Sequence, residues 1–182
     1  MVESTARVRV PAGRPDQSEY AAYFHTYVSL VPDGDILDEL TRQGQASIEL
    51  LSSVPEEKGD FRYAPGKWSI KEALGHVIDA ERIFSYRALR IARNDPTPLA
   101  AFEQNAYVEF GPFSRCSLRE LIEEFQVVRQ STLCLFRVLD ASAWTRQGTV
   151  NNNAITVRAL AYIIAGHASH HMTILRERYL RA

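Results

Sequence analysis

The segment from Thr156 to Leu180 constrains the fold most, because three of the protein's five histidines fall within five consecutive residues of it. On an α-helix, His167 and His171 lie about one turn apart and face the same way, whereas His170 points about 100° away from His171. The apolar residues of the segment share the arc of His167 and His171: Val157, Leu160, Ala161, Ile164, Ala168, Met172 and Leu175. The sequence therefore predicts that two imidazoles enter the packed side of a helix.

Two buried imidazoles need partners, because an unpaired polar group in a protein core costs free energy. Separate hydrogen bonds to neighbouring groups are one solution, and a cation shared by both rings is the other. This segment alone leaves both interpretations open.

Composition indicates one soluble, globular, cytoplasmic domain. The chain has 182 residues, 46% of them hydrophobic, and a formal net charge of −1 at pH 7; this length suffices for a sizeable core. The chain has no excess of basic residues, so a nucleic-acid partner is not expected. No apolar run approaches the ~18 residues of a membrane span, and the polar N-terminus has no signal-peptide core. Cys116 and Cys134 lie on different predicted elements without a C-x-x-C motif, so neither a disulfide framework nor a thiolate metal site is expected.

Four amphipathic helices are predicted, each with a recognisable start. Asp33 or Asp35 caps the first, which ends near Ser53. Capping boxes open the second, at about 69–93, and the third, at about 117–139, while Thr156 caps the fourth. With no convincing strands, the sequence predicts an all-α fold, an antiparallel four-helix bundle with long inter-helix loops.

The segments outside these helices carry weaker patterns. Residues 1–18 are predicted to form an N-terminal arm, and 19–182 the bundle domain. The aromatic-rich stretch 20–30 is predicted to form a short helix. Residues 94–116 are predicted to be a loop, of a length that is more often functional than idle. A polar loop is predicted at 146–155, which contains three consecutive Asn.

Two charged residues occupy apolar arcs. Glu81 lies near the centre of the arc of the second helix, and Arg129 takes the equivalent position on the third. Buried charges are tolerated when they are paired, so we expect a Glu81–Arg129 contact or a shared polar cavity. The pair is either a structural ion pair or a pair of catalytic residues.

A further histidine lies at the margin of the second helix's apolar arc. Taken alone, His76 would be a boundary residue. If it joined His167 and His171, three neutral imidazoles would surround one cation and leave a fourth position for water or substrate, as in catalytic sites. Such ligation suits zinc, nickel, copper or ferrous iron, of which we favour zinc or nickel.

The residue after His167 limits the chemistry. In the H-E-x-x-H motif of metalloproteases a glutamate follows the first histidine, but here that position is Ala168, so proteolysis is not expected. An open metal site can lower the pKa of a bound thiol for transfer, or activate a water for hydrolysis. Both reactions remain open.

Two motifs on different helices resemble the signatures of the DinB/YfiT-like superfamily. The first is GKWSIKEALGH at 66–76, followed by DAER at 79–82, and the second is GHASHH at 166–171. They occur in the family's order, and the similarity extends from about Tyr20 to Leu180.

The resemblance implies a four-helix bundle, commonly a homodimer, with a divalent metal held by His76, His167 and His171. It also implies a small-molecule substrate, because the family includes thiol-dependent transferases and isomerases, which use bacillithiol, mycothiol or glutathione, as well as metal-dependent hydrolases and DNA-damage-inducible proteins. Relatives often carry acidic or amide groups near the metal in the loop after the second helix, where this chain has Glu103, Gln104 and Asn105.

Three functions follow as hypotheses. The first is thiol-dependent S-transfer at a metal site, and the second is hydrolysis by a metal-bound water. The third is a non-catalytic metal-binding stress-response protein, in which the cation rigidifies the bundle. A dimer surface could come from His170, the aromatic residues of 20–27, and Ile163 and Ile174, which are expected to face outward.

Overall fold

The computed structural model describes residues 13–180, so most of the predicted N-terminal arm lies outside the described residues. The helices are α1 (His25–Val28), α2 (Ile36–Ser52), α3 (Ile70–Ala92), α4 (Gln104–Phe110), α5 (Leu118–Arg137), α6 (Ala141–Trp144) and α7 (Val157–Ile174). The last is extended by a π-helical turn at Leu175–Tyr179. Four helices, α2, α3, α5 and α7, have 17 to 23 residues and form the predicted bundle.

The predicted caps set the starts of the long helices. The Ser69 hydroxyl accepts a hydrogen bond from the backbone N–H of Glu72, whose carboxylate accepts one from the N–H of Ser69. A second capping box opens α5 in the same way. Thr156 accepts from the N–H of Ala159 at 3.1 Å, and Asp35, rather than Asp33, caps α2. Each cap satisfies backbone donors that the first helical turn leaves free.

The absence of strands was a wrong prediction, because β1 (Gln147–Val150) and β2 (Asn153–Thr156) form an antiparallel hairpin. The turn between them is Asn151-Asn152, with φ of 47° and 60°. Asparagine tolerates the left-handed region better than most residues, and two such residues close a tight hairpin. The run of Asn that suggested a loop is therefore a hairpin turn.

The predicted loop at 94–116 contains α4 and a 3₁₀ turn at Phe113–Arg115, which is the second correction. Helix α4 is too short to give a clear helical period in the sequence. The chain before it is attached to the hairpin: the N–H of Leu99 donates to the carbonyl of Thr149 at 2.9 Å, and the N–H of Asn151 donates to the carbonyl of Leu99 at 3.0 Å.

Helix α7 is enclosed by its neighbours, since α3 and the short α1 both pack against it. Gly166 permits the approach of α1, because a Cβ there would lie 2.0 Å from the carbonyl oxygen of Tyr27. Ile163, expected to face outward, is fully buried, so that prediction was wrong, while Ile174 is partly buried against the core. Within the described residues, every helix is too short or too polar to cross a bilayer.

Candidate metal centre

Three histidines from two helices converge inside the bundle. His76 comes from α3, and His167 and His171 come from α7; one possible ligand atom from each lies within 4.8 Å of the other two. The Nε2 atoms of His76 and His167 are 3.0 Å apart. A tetrahedral ion with bonds of about 2.1 Å separates its ligand atoms by roughly 3.4 Å, so the rings stand close to the positions that a shared ion needs. We call these three residues the histidine cluster.

The alternative, in which each ring bonds separately to neighbouring protein groups, does not describe the cluster. Between residues 13 and 180, the one hydrogen bond that the three rings make to protein joins His76 to His167. A neutral imidazole has one N–H and one acceptor nitrogen, so this contact leaves nitrogens of the cluster without a protein partner. The donor set therefore fits a shared cation better than a set of satisfied core histidines.

Burial keeps the cluster neutral. His76 and His167 are buried, at 2% and 5% exposure, and His171 is half-buried. Burial lowers the pKa of His76 to about 4 and that of His171 to about 3. The pKa of His167 lies well below its ordinary value because of burial and of the neighbouring His171 and His76. All three are therefore neutral at pH 7, which is the form of imidazole that binds a metal ion.

A glycine precedes two of the three histidines and lets another segment approach. A Cβ on Gly75 would lie 2.3 Å from the ring of Phe113, and one on Gly166 would meet the backbone of Tyr27. The ring of Tyr27 is then edge-on to His167, with centroids 5.2 Å apart, and also contacts His170. His170 thus lies outside the cluster, on the side that its helical position predicts.

A cavity of about 260 Å³ reaches the cluster at His76 and His167. Its wall is largely aromatic, and we call it the aromatic cavity; it is lined by Tyr23, Phe24, Tyr27, His76, Phe84, Arg87, Ala101, Phe102, Glu103, Gln104, Val150, Asn151 and His167. A second cavity, of about 240 Å³, touches the cluster at His171 and includes Asn105. The cluster can therefore be approached through two cavities.

The polar residues at the start of α4 contribute to the walls of both cavities. Glu103 and Gln104 line the aromatic cavity. The carboxylate of Glu103 accepts hydrogen bonds from the N–H of Ala106 at 2.8 Å and from the amide of Asn105 at 3.2 Å, so it caps α4. These residues lie beside the cavities, and within residues 13–180 no hydrogen bond or salt bridge joins them to the histidines of the cluster.

Glu81 and Arg129 form the expected contact. Both are nearly fully buried, at 2% and 4% exposure, and two hydrogen bonds of 2.8 Å join the guanidinium to the carboxylate. Arg129 also donates to the carbonyl of Leu40 at 2.9 Å and to the side chain of Gln43. Neither charged residue lines the aromatic cavity or the second cavity. This geometry is that of a structural ion pair, and a catalytic role for the pair stays a prediction.

Residues 39–175, which run from the first turn of α2 to just past the end of α7, match the sequence pattern of the DinB superfamily. The chain belongs to the DinB superfamily. The fold of this DinB-superfamily chain is similar to that of YfiT from Bacillus subtilis, with a TM-score of 0.68 and 16% identity over 93% of each chain. YfiT is described as a probable metal-dependent hydrolase with an unusual four-helix bundle topology. A search of curated proteins finds no match for this chain.

Sequence reasoning missed Arg87, which lines the aromatic cavity together with His76. The sequence spacing between His76 and Arg87 could have revealed it. Eleven residues separate the two, which is three helical turns with a net rotation of about 20°, so both project from the same side of α3.

Proposed function

We propose that this DinB-superfamily chain is a divalent-metal-dependent enzyme acting on a small molecule, with His76, His167 and His171 holding the ion. The observation that carries the proposal is the convergence of three neutral imidazoles within 4.8 Å beside a cavity large enough for a small organic molecule. Three nitrogen ligands suit zinc or nickel and leave a position open.

The residues around the cluster have separable tasks in this proposal. A bound ion would lower the pKa of a thiol or a water molecule beside it. The aromatic wall, with Phe24 and Phe84 buried in it, excludes water and accepts the apolar part of a substrate. Tyr27 holds the ring of His167 in place by edge-on packing.

Thiol-dependent S-transfer is the reaction that we favour. Transfer requires two organic reactants, a low-molecular-weight thiol and an electrophile, at the same centre. The aromatic cavity reaches the cluster at His76 and His167, and the second cavity reaches it at His171. Two approaches to one centre suit a two-substrate reaction.

Hydrolysis is the second candidate, favoured by the description of YfiT as a probable metal-dependent hydrolase. Among the described residues, Glu103 is the one acidic residue that lines the aromatic cavity, so in this alternative it would accept the proton of an attacking water. The third candidate, a non-catalytic metal-binding protein, uses the same histidines without turnover.

The test begins with protein that is stripped of metal by a chelator and reloaded with one equivalent of zinc or nickel. Conjugation of a low-molecular-weight thiol to monochlorobimane, above the metal-free control, supports transfer, while ester turnover without thiol supports hydrolysis. Stoichiometric metal binding with neither activity supports the non-catalytic alternative.

Matched variants connect any activity to the cluster. His171→Gln removes one proposed ligand, and His170→Gln changes the adjacent histidine outside the cluster. We expect His171→Gln to weaken metal binding at least about tenfold and to lose activity, and His170→Gln to retain both. Retention of metal and activity by His171→Gln would contradict the assignment.

A further inference from the structure

Arg87 is a buried arginine that lines the aromatic cavity. It is 5% exposed and lies on α3, three turns beyond His76 and on the same side of the helix. The cavity that it lines also touches His76 and His167. Arg87 and two histidines of the cluster therefore line one cavity.

This arginine lacks the carboxylate that a buried guanidinium ordinarily requires. In the range 13–180, no Asp or Glu oxygen lies within 4.0 Å of it, whereas Arg90 pairs with Asp95 and Arg129 with Glu81. A buried charge without a counter-ion is costly. Burial accordingly lowers the pKa of Arg87 below its ordinary value.

Part of the guanidinium remains available. Nη2 donates to the carbonyl of Ala100 at 2.7 Å, which is its one hydrogen bond to the described protein. Every fully buried side-chain nitrogen of the described residues has a hydrogen-bond partner, so the nitrogens of Arg87 that have no partner are not fully buried. The rings of Phe84 and Phe102 each lie 5.7 Å from its Cζ, and they hold the planar group in position.

The acidic residue on the same wall does not neutralise it. The carboxylate of Glu103 is held by Ala106 and Asn105 at the start of α4, and it makes no salt bridge to Arg87. The cavity therefore combines an unpaired fixed cation with an aromatic wall. Planar guanidinium donors match the oxygens of carboxylates and phosphates.

We infer that the substrate carries an oxyanion on an apolar body, and that Arg87 binds the oxyanion while the body lies against the aromatic wall. This deepens the proposed function and rests on it, because it names the chemical class of the molecule that the enzyme would act on. Arg87 fixes one end of this molecule in the cavity that leads to His76 and His167.

The test is calorimetric binding of three probes, benzoate, phenylphosphonate and benzamide, which share a ring and differ in charge. We expect at least one anion to bind at least about tenfold more tightly than neutral benzamide. The stronger of the two anions identifies the oxyanion that the cavity prefers. Binding is measured on both metal-free and zinc-loaded protein, so the result stands even if the proposed metal chemistry fails.

Two substitutions test the role of Arg87 directly. Arg87→Gln should weaken binding of the anion at least about tenfold in both preparations and leave benzamide unchanged, and Arg87→Lys should retain part of the affinity. The control is Arg82→Gln on the same helix, since Arg82 is exposed and pairs with Glu124. The Arg82→Gln protein should bind all three probes as the wild type does.

Several results would overturn the inference. They are equal affinity of the wild type for benzoate, phenylphosphonate and benzamide, absence of saturable binding of either anion, and anion binding that needs zinc and is unaffected by Arg87→Gln. If Arg87→Gln fails to fold, the comparison of charged and neutral probes on the wild-type protein still decides the question.

Discussion

The carboxylate of Glu81 on α3 accepts hydrogen bonds from both Nε and Nη2 of Arg129 on α5, each 2.8 Å long. Through the carbonyl of Leu40, the same guanidinium also binds α2. Two groups of buried polar residues thus connect the long helices. One ties α2, α3 and α5 together by an ion pair, and the other joins α3 to α7 through the histidine cluster.

Loss of one member of the ion pair should destabilise the fold strongly. Glu81→Gln removes the negative charge and leaves the buried Arg129 unpaired, which costs about 3–5 kcal/mol in the free energy of unfolding. Urea unfolding followed by circular dichroism measures the change. The double variant Glu81→Met/Arg129→Leu should recover part of the loss, because it removes both charges. A stable but inactive Glu81→Gln protein would instead indicate a catalytic role.

The glycine at position 166 should tolerate alanine less well than the glycine at position 75. A Cβ on Gly166 meets the backbone oxygen of Tyr27 at 2.0 Å, whereas a Cβ on Gly75 meets the ring of Phe113 at 2.3 Å, and a side chain shifts more readily than backbone does. We expect Gly166→Ala to cost about 2–4 kcal/mol and Gly75→Ala less, as measured by urea unfolding. The reverse order would show that α1 yields more easily than the Phe113 ring.

The metal-free protein should lose stability as the pH falls below about 6.5, the ordinary pKa of histidine in an unfolded chain. Burial lowers the pKa of His76 to about 4 and that of His171 to about 3 in the folded state. Between these values the unfolded chain binds protons that the folded chain does not, so each group removes at most about 1.4 kcal/mol per pH unit.

Urea unfolding of chelator-treated protein between about pH 7.5 and about pH 5.5 measures this slope above the range in which most carboxylates titrate. His171→Gln should reduce the slope, since it removes one of the buried groups. A free energy of unfolding that does not vary over this interval would contradict neutral burial of the cluster.

Zinc should stabilise the wild-type protein and fail to stabilise a ligand variant. A ligand that binds only the folded state adds about 2.7 kcal/mol when its free concentration is a hundred times its dissociation constant. Thermal unfolding with and without zinc should therefore show an increase in melting temperature for the wild type and for His170→Gln. His76→Gln should show little increase. Equal stabilisation of all three proteins would place the ion elsewhere.

Local signals in the sequence predicted the scaffold well. The caps at Ser69 and Thr156 act through side-chain contacts within one turn, so the start of each helix is visible in a few residues. The shared face of His167 and His171 follows from the helical period alone. The third member, His76, lay at the margin of its arc, and it was assigned by resemblance to the family.

The remaining features depend on contacts between distant segments. The hairpin is held by its Asn151-Asn152 turn and by pairing with Leu99, and neither produces an apolar alternation that would reveal a strand. Ile163 was expected at the surface because the helical pattern of α7 does not reveal that α1 covers it. That packing depends on the absence of a side chain at Gly166. Arg87 belongs to the same class, since its importance comes from the cavity that surrounds it and not from a motif.

The attachment of Leu99 to the hairpin has a consequence for how such a protein can diversify. The histidines and the ion pair are carried by long helices, in which a substitution disturbs many packed neighbours. The outer wall of the aromatic cavity is instead assembled from residues 99–104 and the tip of the hairpin, joined by main-chain hydrogen bonds that do not depend on the side chains. Changes of side chain in these short stretches can alter which molecules are admitted while the scaffold keeps its shape.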